Sequence, residues 1–248
     1  MIRTLLTTAA LGATLAAPAN ALDLSEMSDA DRTAFRAEVR AYLMDNPEVI
    51  YEAVAVLQER EAAMQAANDG DLLADNADAL FADGHSWIGG NPDGDITIVE
   101  FMDYRCGYCR KAFPEVEELL AADGNIRLIV KEFPILGEAS VVSSRFAIAT
   151  LQVAGDDAYK QVHEALIDFK GDASEVALGR LASSLGLDAA PILAHMGSDE
   201  VTAVIDANRA LASKLDISGT PSFVMGSQMI RGYVPLEGML EIVAEERS

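Results

Sequence analysis

Apolar residues recur along this chain with two different periods. Phe35, Val39 and Leu43 stand at i, i+4 and i+8, the spacing of one face of a helix. Ser28-Asp-Ala-Asp31 supplies its cap, with an acid three residues on. Asn46-Pro47 ends that helix; Pro47 suits the first position of a second one and Asn46 its cap. Ile50, Val54 and Leu57 continue the helical pattern, which then turns alanine-rich and polar over 60–67 and runs to about residue 83. Gly84, Gly89, Gly90, Pro92 and Gly94 punctuate the next stretch and mark a boundary. Residues 85–88 read as a short edge strand. Residues 96–102 are apolar on both faces, as in a strand covered by helices on each side. A helix follows over 110–122, where Pro114 is expected to place a kink. Residues 125–133 read as the next strand, and a strand–helix–strand unit of this length predicts parallel pairing. From 139 to about 215 the pattern is helical: 140–154, 157–169, 174–185, 189–195 and 199–215, divided by Gly155, Gly171, Gly186 and Gly197. A turn at Ser218 leads into a strand, Gly226-Ser227 makes a hairpin, 228–232 returns, and 236–246 closes the chain as a helix. Strands alternating with helices around one parallel pair predict an α/β fold.

The only two cysteines, Cys106 and Cys109, fall where the apolar strand hands over to a helix. Unpaired N–H groups and the positive end of the dipole at a helix start favour a thiolate, and the second thiol lies about one turn on. The pair therefore has the makings of a two-electron redox centre. A zinc site wants four ligands, and His85, His163 and His195 lack ligand spacing to one another. Copper(I) is served by two soft thiolates and stays an alternative. A structural bridge across so short a loop constrains little chain entropy. Glu100 interrupts the apolar strand six residues before Cys106. Its carboxyl is expected to be buried, its pKa raised by desolvation, and to shuttle protons for Cys109; the plainer alternative pairs it with a lysine. His163 and His195 read as structural.

Charge and the first residues narrow the setting. Arg3, an apolar run over 5–17 and Ala19-Asn-Ala21 predict a signal peptide, residues 1–21, cleaved after Ala21. The run is shorter than the roughly 20 residues of a spanning helix. Export to an oxidising compartment is thus expected, and one close cysteine pair there fits a catalyst of disulfide chemistry. Forty acidic against 18 basic residues, a formal charge of −22, argue against nucleic acid and anionic membrane partners.

With those residues in view, the chain resembles the thioredoxin superfamily, and within it the DsbA-like periplasmic thiol–disulfide oxidoreductases, over about 85–248. The resemblance rests on Cys106-Gly-Tyr-Cys109 at the strand–helix junction, Glu100, Pro114, the helical insertion, and Thr220-Pro221 before a terminal hairpin. It implies a thioredoxin domain built from 85–136 and 214–248, an inserted helical domain, 137–213, and an N-terminal helical extension, 22–84. It further implies that Cys106 attacks and Cys109 resolves. Pro221 would be cis and lie against the pair, and Thr220 would offer backbone groups to a substrate strand beside Gly107 and Tyr108. No cofactor and no metal are implied. The leader, followed by Gly90-Asn-Pro-Asp-Gly-Asp95, is similar to suppressor-of-copper-sensitivity C type proteins, some of which oligomerise through it; a homo-oligomer through 22–84 is expected. The Gly-Tyr dipeptide and Thr220 resemble the disulfide isomerase DsbC rather than DsbA, which implies a less oxidising disulfide. The expected function is disulfide isomerisation or reduction on unfolded or misfolded exported proteins, with a membrane redox partner resetting the pair. A monomeric dithiol oxidase and a copper(I)-binding protein are the alternatives.

Overall fold

A computed structural model describes residues 27–248; the expected signal peptide and its cleavage site lie outside the described residues. Two compact units divide the chain, Met1–Glu59 and Arg60–Ser248. In the first, α1 (Asp29–Asp45) begins at Ser28, whose side chain accepts from the Asp31 backbone N–H. Asn46, expected to cap the following helix, serves α1 instead: its backbone and side-chain N–H groups both donate to the Tyr42 carbonyl. Helix α2 (Glu48–Asp75) starts in this unit, and its residues from Arg60 on belong to the second. No described residue of this unit is buried, and its apolar positions Phe35, Val39, Tyr42, Ile50, Val54 and Leu57 are exposed.

The second unit is built on a five-stranded sheet in the order β1-β3-β2-β4-β5. The strands are β1 (Trp87–Gly90), β2 (Ile96–Met102), β3 (Ile126–Glu132), β4 (Ser222–Met225) and β5 (Gln228–Arg231). β2 and β3 pair in parallel, as their spacing predicts, and every other pair is antiparallel. β1 lies two residues later than expected because two glycines belong to it. A Cβ at Gly89 would enter the Trp87 ring, and one at Gly90 would meet the Ile126 carbonyl. These glycines make close approach possible and are no boundary.

Both faces of the sheet are covered, so β2 and β3 alternate between two buried layers rather than between core and water. On one face Ile98, Met102, Leu128 and Val130 pack against α4 (Gly107–Asp123), α5 (Glu138–Ala154), α6 (Asp156–Asp168) and α10 (Leu236–Glu246). Helices α7 (Glu175–Ser184) and α8 (Ala189–His195) extend that layer. On the other face Val99, Phe101 and Ile129 meet Leu73 of α2, Leu80 of α3 (Ala77–Phe81), and Leu211 and Ala212 of α9 (Asp199–Lys214). Each such side chain taken from water is worth about 1.5–3 kcal/mol before chain entropy is set against it. Helices α5 to α9 all fall between β3 and β4 in the chain.

Two buried contacts join distant parts of this unit. Arg231 holds Asp69 with both terminal nitrogens, at 2.8 and 2.9 Å, which ties α2 to the edge strand β5. Lys131, fully buried on the α3 side, donates to the Ala79 carbonyl at 2.8 Å and to Asp83. Burial alone would raise the Asp83 pKa; hydrogen bonds from His85, Lys131 and Ser86 hold it well below the usual carboxylate range.

Candidate active site

Helix α4 begins at Gly107, three residues earlier than its apolar pattern suggests, and so takes Cys109 into its first turn. Cys106 is the cap residue, extended at φ −75° and ψ 122°, and its carbonyl accepts from the Arg110 N–H at 3.2 Å. The first free N–H groups of the helix therefore surround the Cys106 end. The helix runs on through Pro114 and ends at Gly124, whose φ of 72° gives the left-handed turn that glycine takes most readily.

The turn before the cysteines is pinned from three sides. Buried Asp103 accepts the Arg105 N–H at 2.8 Å, and the Ile135 and Leu136 N–H groups at 2.9 and 3.1 Å, which anchors the chain leaving β3. Arg105 and Arg110 both donate to the Phe169 carbonyl, and Arg105 also to that of Gly171. The loop after α6 is thereby fastened to the cysteine turn. Arg110 Nε closes the arrangement on the Tyr104 carbonyl at 3.0 Å.

Both cysteines are free thiols, and both are buried. Cys106 Sγ donates to the Thr220 carbonyl at 3.1 Å. The Thr220–Pro221 bond is cis, as the resemblance implies, and this contact brings it against the first cysteine. Cys109 is fully enclosed. Burial pushes its thiol far up, and the charge of Glu100 pushes the same way. Glu100 is buried, and its pKa is raised to about 8, by burial first and then by Glu132 and Glu117. Lys131 is not its partner, because strand alternation turns that lysine to the opposite sheet face, onto Asp83. Tyr108 is 61% exposed and tilts against the Tyr233 ring, 6.0 Å between centroids; Lys111 lies 4.1 Å over that same ring. Gly107 has open space where a side chain would stand.

The cysteine pair, Glu100, Thr220 and Pro221 thus come together, with Gly107 and Tyr108 on the rim. His195 does not join them; its Nε2 meets Gln152 at 2.8 Å. His163 is buried beside Tyr104, its Nδ1 2.9 Å from the phenol oxygen, and burial lowers its pKa to about 4. Sequence reasoning missed Asp103, Tyr104, Glu132, Tyr159 and Tyr233. For Glu132 the signal was present: a second acid in a strand apolar on both faces. No group of three or more His, Cys, Asp or Glu able to hold a metal ion occurs among the described residues. No helix among them is long and apolar enough to cross a membrane.

Comparison with known proteins agrees with this geometry. Residues 97–244 match the DSBA-like thioredoxin domain, and 31–63 the copper resistance protein ScsC N-terminal domain. A thioredoxin-like oxidoreductase from Silicibacter pomeroyi DSS-3 is 42% identical, with a TM-score of 0.64 over 68% of this chain and 96% of that one. A linker-deletion variant of Proteus mirabilis ScsC is 26% identical, with a TM-score of 0.67 over 91% of this chain and 99% of that one. The Na(+)/H(+) antiporter NhaA 1 of Salinispora arenicola is 27% identical over 61% of this chain. The chain spans 23% of the length of the curated relatives it matches first.

Proposed function

The chain belongs to the DSBA-like thioredoxin domain family, and on that premise we propose that it exchanges thiols and disulfides on exported proteins, chiefly as an isomerase or reductase. The observation that carries the reading is the contact of Cys106 Sγ with the Thr220 carbonyl beside a cis proline, with Cys109 enclosed behind it. The Thr220 backbone then lies at the reactive sulfur, where a substrate strand that displaces the thiol contact would pair with it.

In the reduced protein the Cys106 thiolate attacks one sulfur of a substrate disulfide. A Cys106–substrate S–S bond forms, the substrate S–S bond breaks, and one substrate thiolate leaves with the electron pair. Two endings follow. Cys109 attacks Cys106 Sγ, closes the protein disulfide and expels the second substrate thiol, so the substrate gains two electrons. Alternatively a different substrate thiolate attacks, Cys106 is released unchanged, and the substrate's pairing is rearranged. Glu100 takes the Cys109 proton in the first ending and returns it in reverse. No cofactor enters either ending. A membrane redox partner resets the cysteine pair.

In this reading 85–136 and 214–248 form the thioredoxin domain, 137–213 the inserted helical domain, and 22–84 an extension through which copies of the chain associate. The exposed apolar stripe of Phe35, Val39, Ile50, Val54 and Leu57 supports association, since a monomer would leave it in water. The signal peptide read from the sequence supports a periplasmic site. The test is reactivation of a protein with scrambled disulfides by the full mature chain, beside simple disulfide reduction. Isomerisation by an oligomer is expected. Oxidation of reduced substrate by a monomer, without reactivation, would support the dithiol oxidase instead.

A further inference from the structure

Glu132 is the second acid of the sheet, and the exchange steps above do not use it. Strand alternation sets Glu132 with Leu128 and Val130, and Glu100 with Ile98 and Met102, on the face that carries Cys109. The register pairs Glu132 with Met102 and Glu100 with Val130, so the two carboxyls are diagonal neighbours on adjacent strands.

Three hydroxyls converge on Glu132. Tyr104 and Tyr159 both donate to Oε1 at 2.7 Å, and Ser144 donates to Oε2 at 2.7 Å. The Tyr104 hydroxyl also lies 2.9 Å from Nδ1 of the His163 ring, which burial keeps neutral. All of these side chains are buried. Three O–H donors around one carboxyl do for a buried charge what water does outside. Glu100 has no comparable shell. Burial raises both carboxyls; hydrogen bonds from Tyr159, Tyr104 and Ser144 pull Glu132 back down, and nothing comparable opposes burial at Glu100. The donor shell therefore makes Glu132 the one that ionises first. The other ionisable groups acting on the pair are Cys109 and Glu117 on α4, Asp103 and Tyr104 after β2, and Tyr159 and His163 on α6. β4 brings none.

We propose that Glu132 is a positioning residue for the thiol chemistry: its charge, sheltered by Tyr104, Tyr159 and Ser144, keeps the shared proton on Glu100, where Cys109 exchanges it. When a substrate thiolate attacks Cys106 of the closed disulfide, Cys109 leaves as a thiolate and takes the Glu100 proton. When Cys109 attacks, the proton goes back. Glu132 changes neither the bonds nor the electrons of either step. It sets the pH at which Glu100 can accept.

The inference rests on the thiol–disulfide reading, and one experiment separates the two. The full mature chain is reduced and mixed with glutathione disulfide from about pH 5 to about pH 9, and formation of the mixed disulfide and its closure by Cys109 are timed separately. Glu132→Gln keeps an acceptor for the hydroxyls and removes the charge. Its closure limb should move to lower pH by about one unit, a gain of about tenfold in closure rate below the limb. Mixed-disulfide formation should keep its pH profile. Tyr159→Phe, which removes one donor and lets Glu132 keep its own proton, should move the limb the same way by less. Limbs that stay within a few tenths of a unit of the unaltered chain in both variants overturn the proposal. An unaltered chain that forms no mixed disulfide at any pH overturns the thiol–disulfide reading itself.

Discussion

Glu100→Gln should gain stability over the unaltered chain as pH rises, and should be the more stable of the two above about pH 7. The carboxyl stands at about 8 in the folded protein against an ordinary 4.5. Between those values the folded chain holds a proton that the unfolded chain has lost. Stability therefore falls as pH rises from about 4.5, and the loss is complete above about 8. Each pH unit is worth about 1.4 kcal/mol, so the buried acid costs about 3 kcal/mol at pH 7 and about 5 kcal/mol above pH 8. That is a large part of the 5–15 kcal/mol that holds a typical domain together. A neutral amide in the same place carries a fixed penalty of about 1–3 kcal/mol for imperfect hydrogen bonding, and that penalty has no pH slope. The assay is urea unfolding of both reduced chains at one protein concentration, from about pH 5 to about pH 9. The difference between them should climb by about 1.4 kcal/mol per unit and level off above about pH 8. A difference that is flat across the range would refute the reasoning, because it would mean that the carboxyl is as easily ionised inside as outside.

Four further outcomes follow from named contacts. Lys131→Met leaves the Asp83 carboxylate without its buried cation and should cost about 3–5 kcal/mol in the same urea titrations, with most of the loss recovered when Asp83→Leu is added. Asp69→Ala removes the two-pronged partner of Arg231 and should cost about 2 kcal/mol, less than a fully buried pair because Arg231 is partly exposed. Val39→Asp places a charge in the exposed stripe of α1 and should convert an oligomer to monomers by light scattering while the 60–248 unit melts where it did before; an unchanged mass would contradict association through that stripe. Tyr108→Ala should leave the melting of the chain within about 0.5 kcal/mol, since that ring is mostly in solvent, while weakening exchange with a peptide disulfide.

The parts of this fold that rest on local pattern were legible. A strand apolar on both faces, broken by one acid, announced β2 and Glu100, and its length and the following helix announced the parallel β3. The helical pattern behind the cysteines announced α4, though three residues late. Tertiary partners were not legible. Lys131 and Glu132 are neighbours in sequence, but the pleat sends them to opposite layers, and their partners come from Asp83 in one direction and from Tyr104, Ser144 and Tyr159 in the other. Nothing in the immediate sequence of β3 names those residues. β1 was misplaced because glycine reads as a break, whereas here Trp87 and the β3 backbone leave no room for a side chain. Asn46 suits either side of a helix junction, and only the hydrogen bonds to Tyr42 assign it. α4 starts before its apolar stripe because Gly107 and Tyr108 carry no burial signal, yet they form its first turn.

The division of labour between the two thiols is tested most directly by trapping. Cys109→Ser, in the full mature chain with a disulfide-bearing peptide, removes the group that would close the protein disulfide. A stable one-to-one adduct should accumulate, and peptide mapping should find its S–S bond on Cys106. An adduct on Cys109 in the matching Cys106→Ser chain, with none on Cys106, would contradict it.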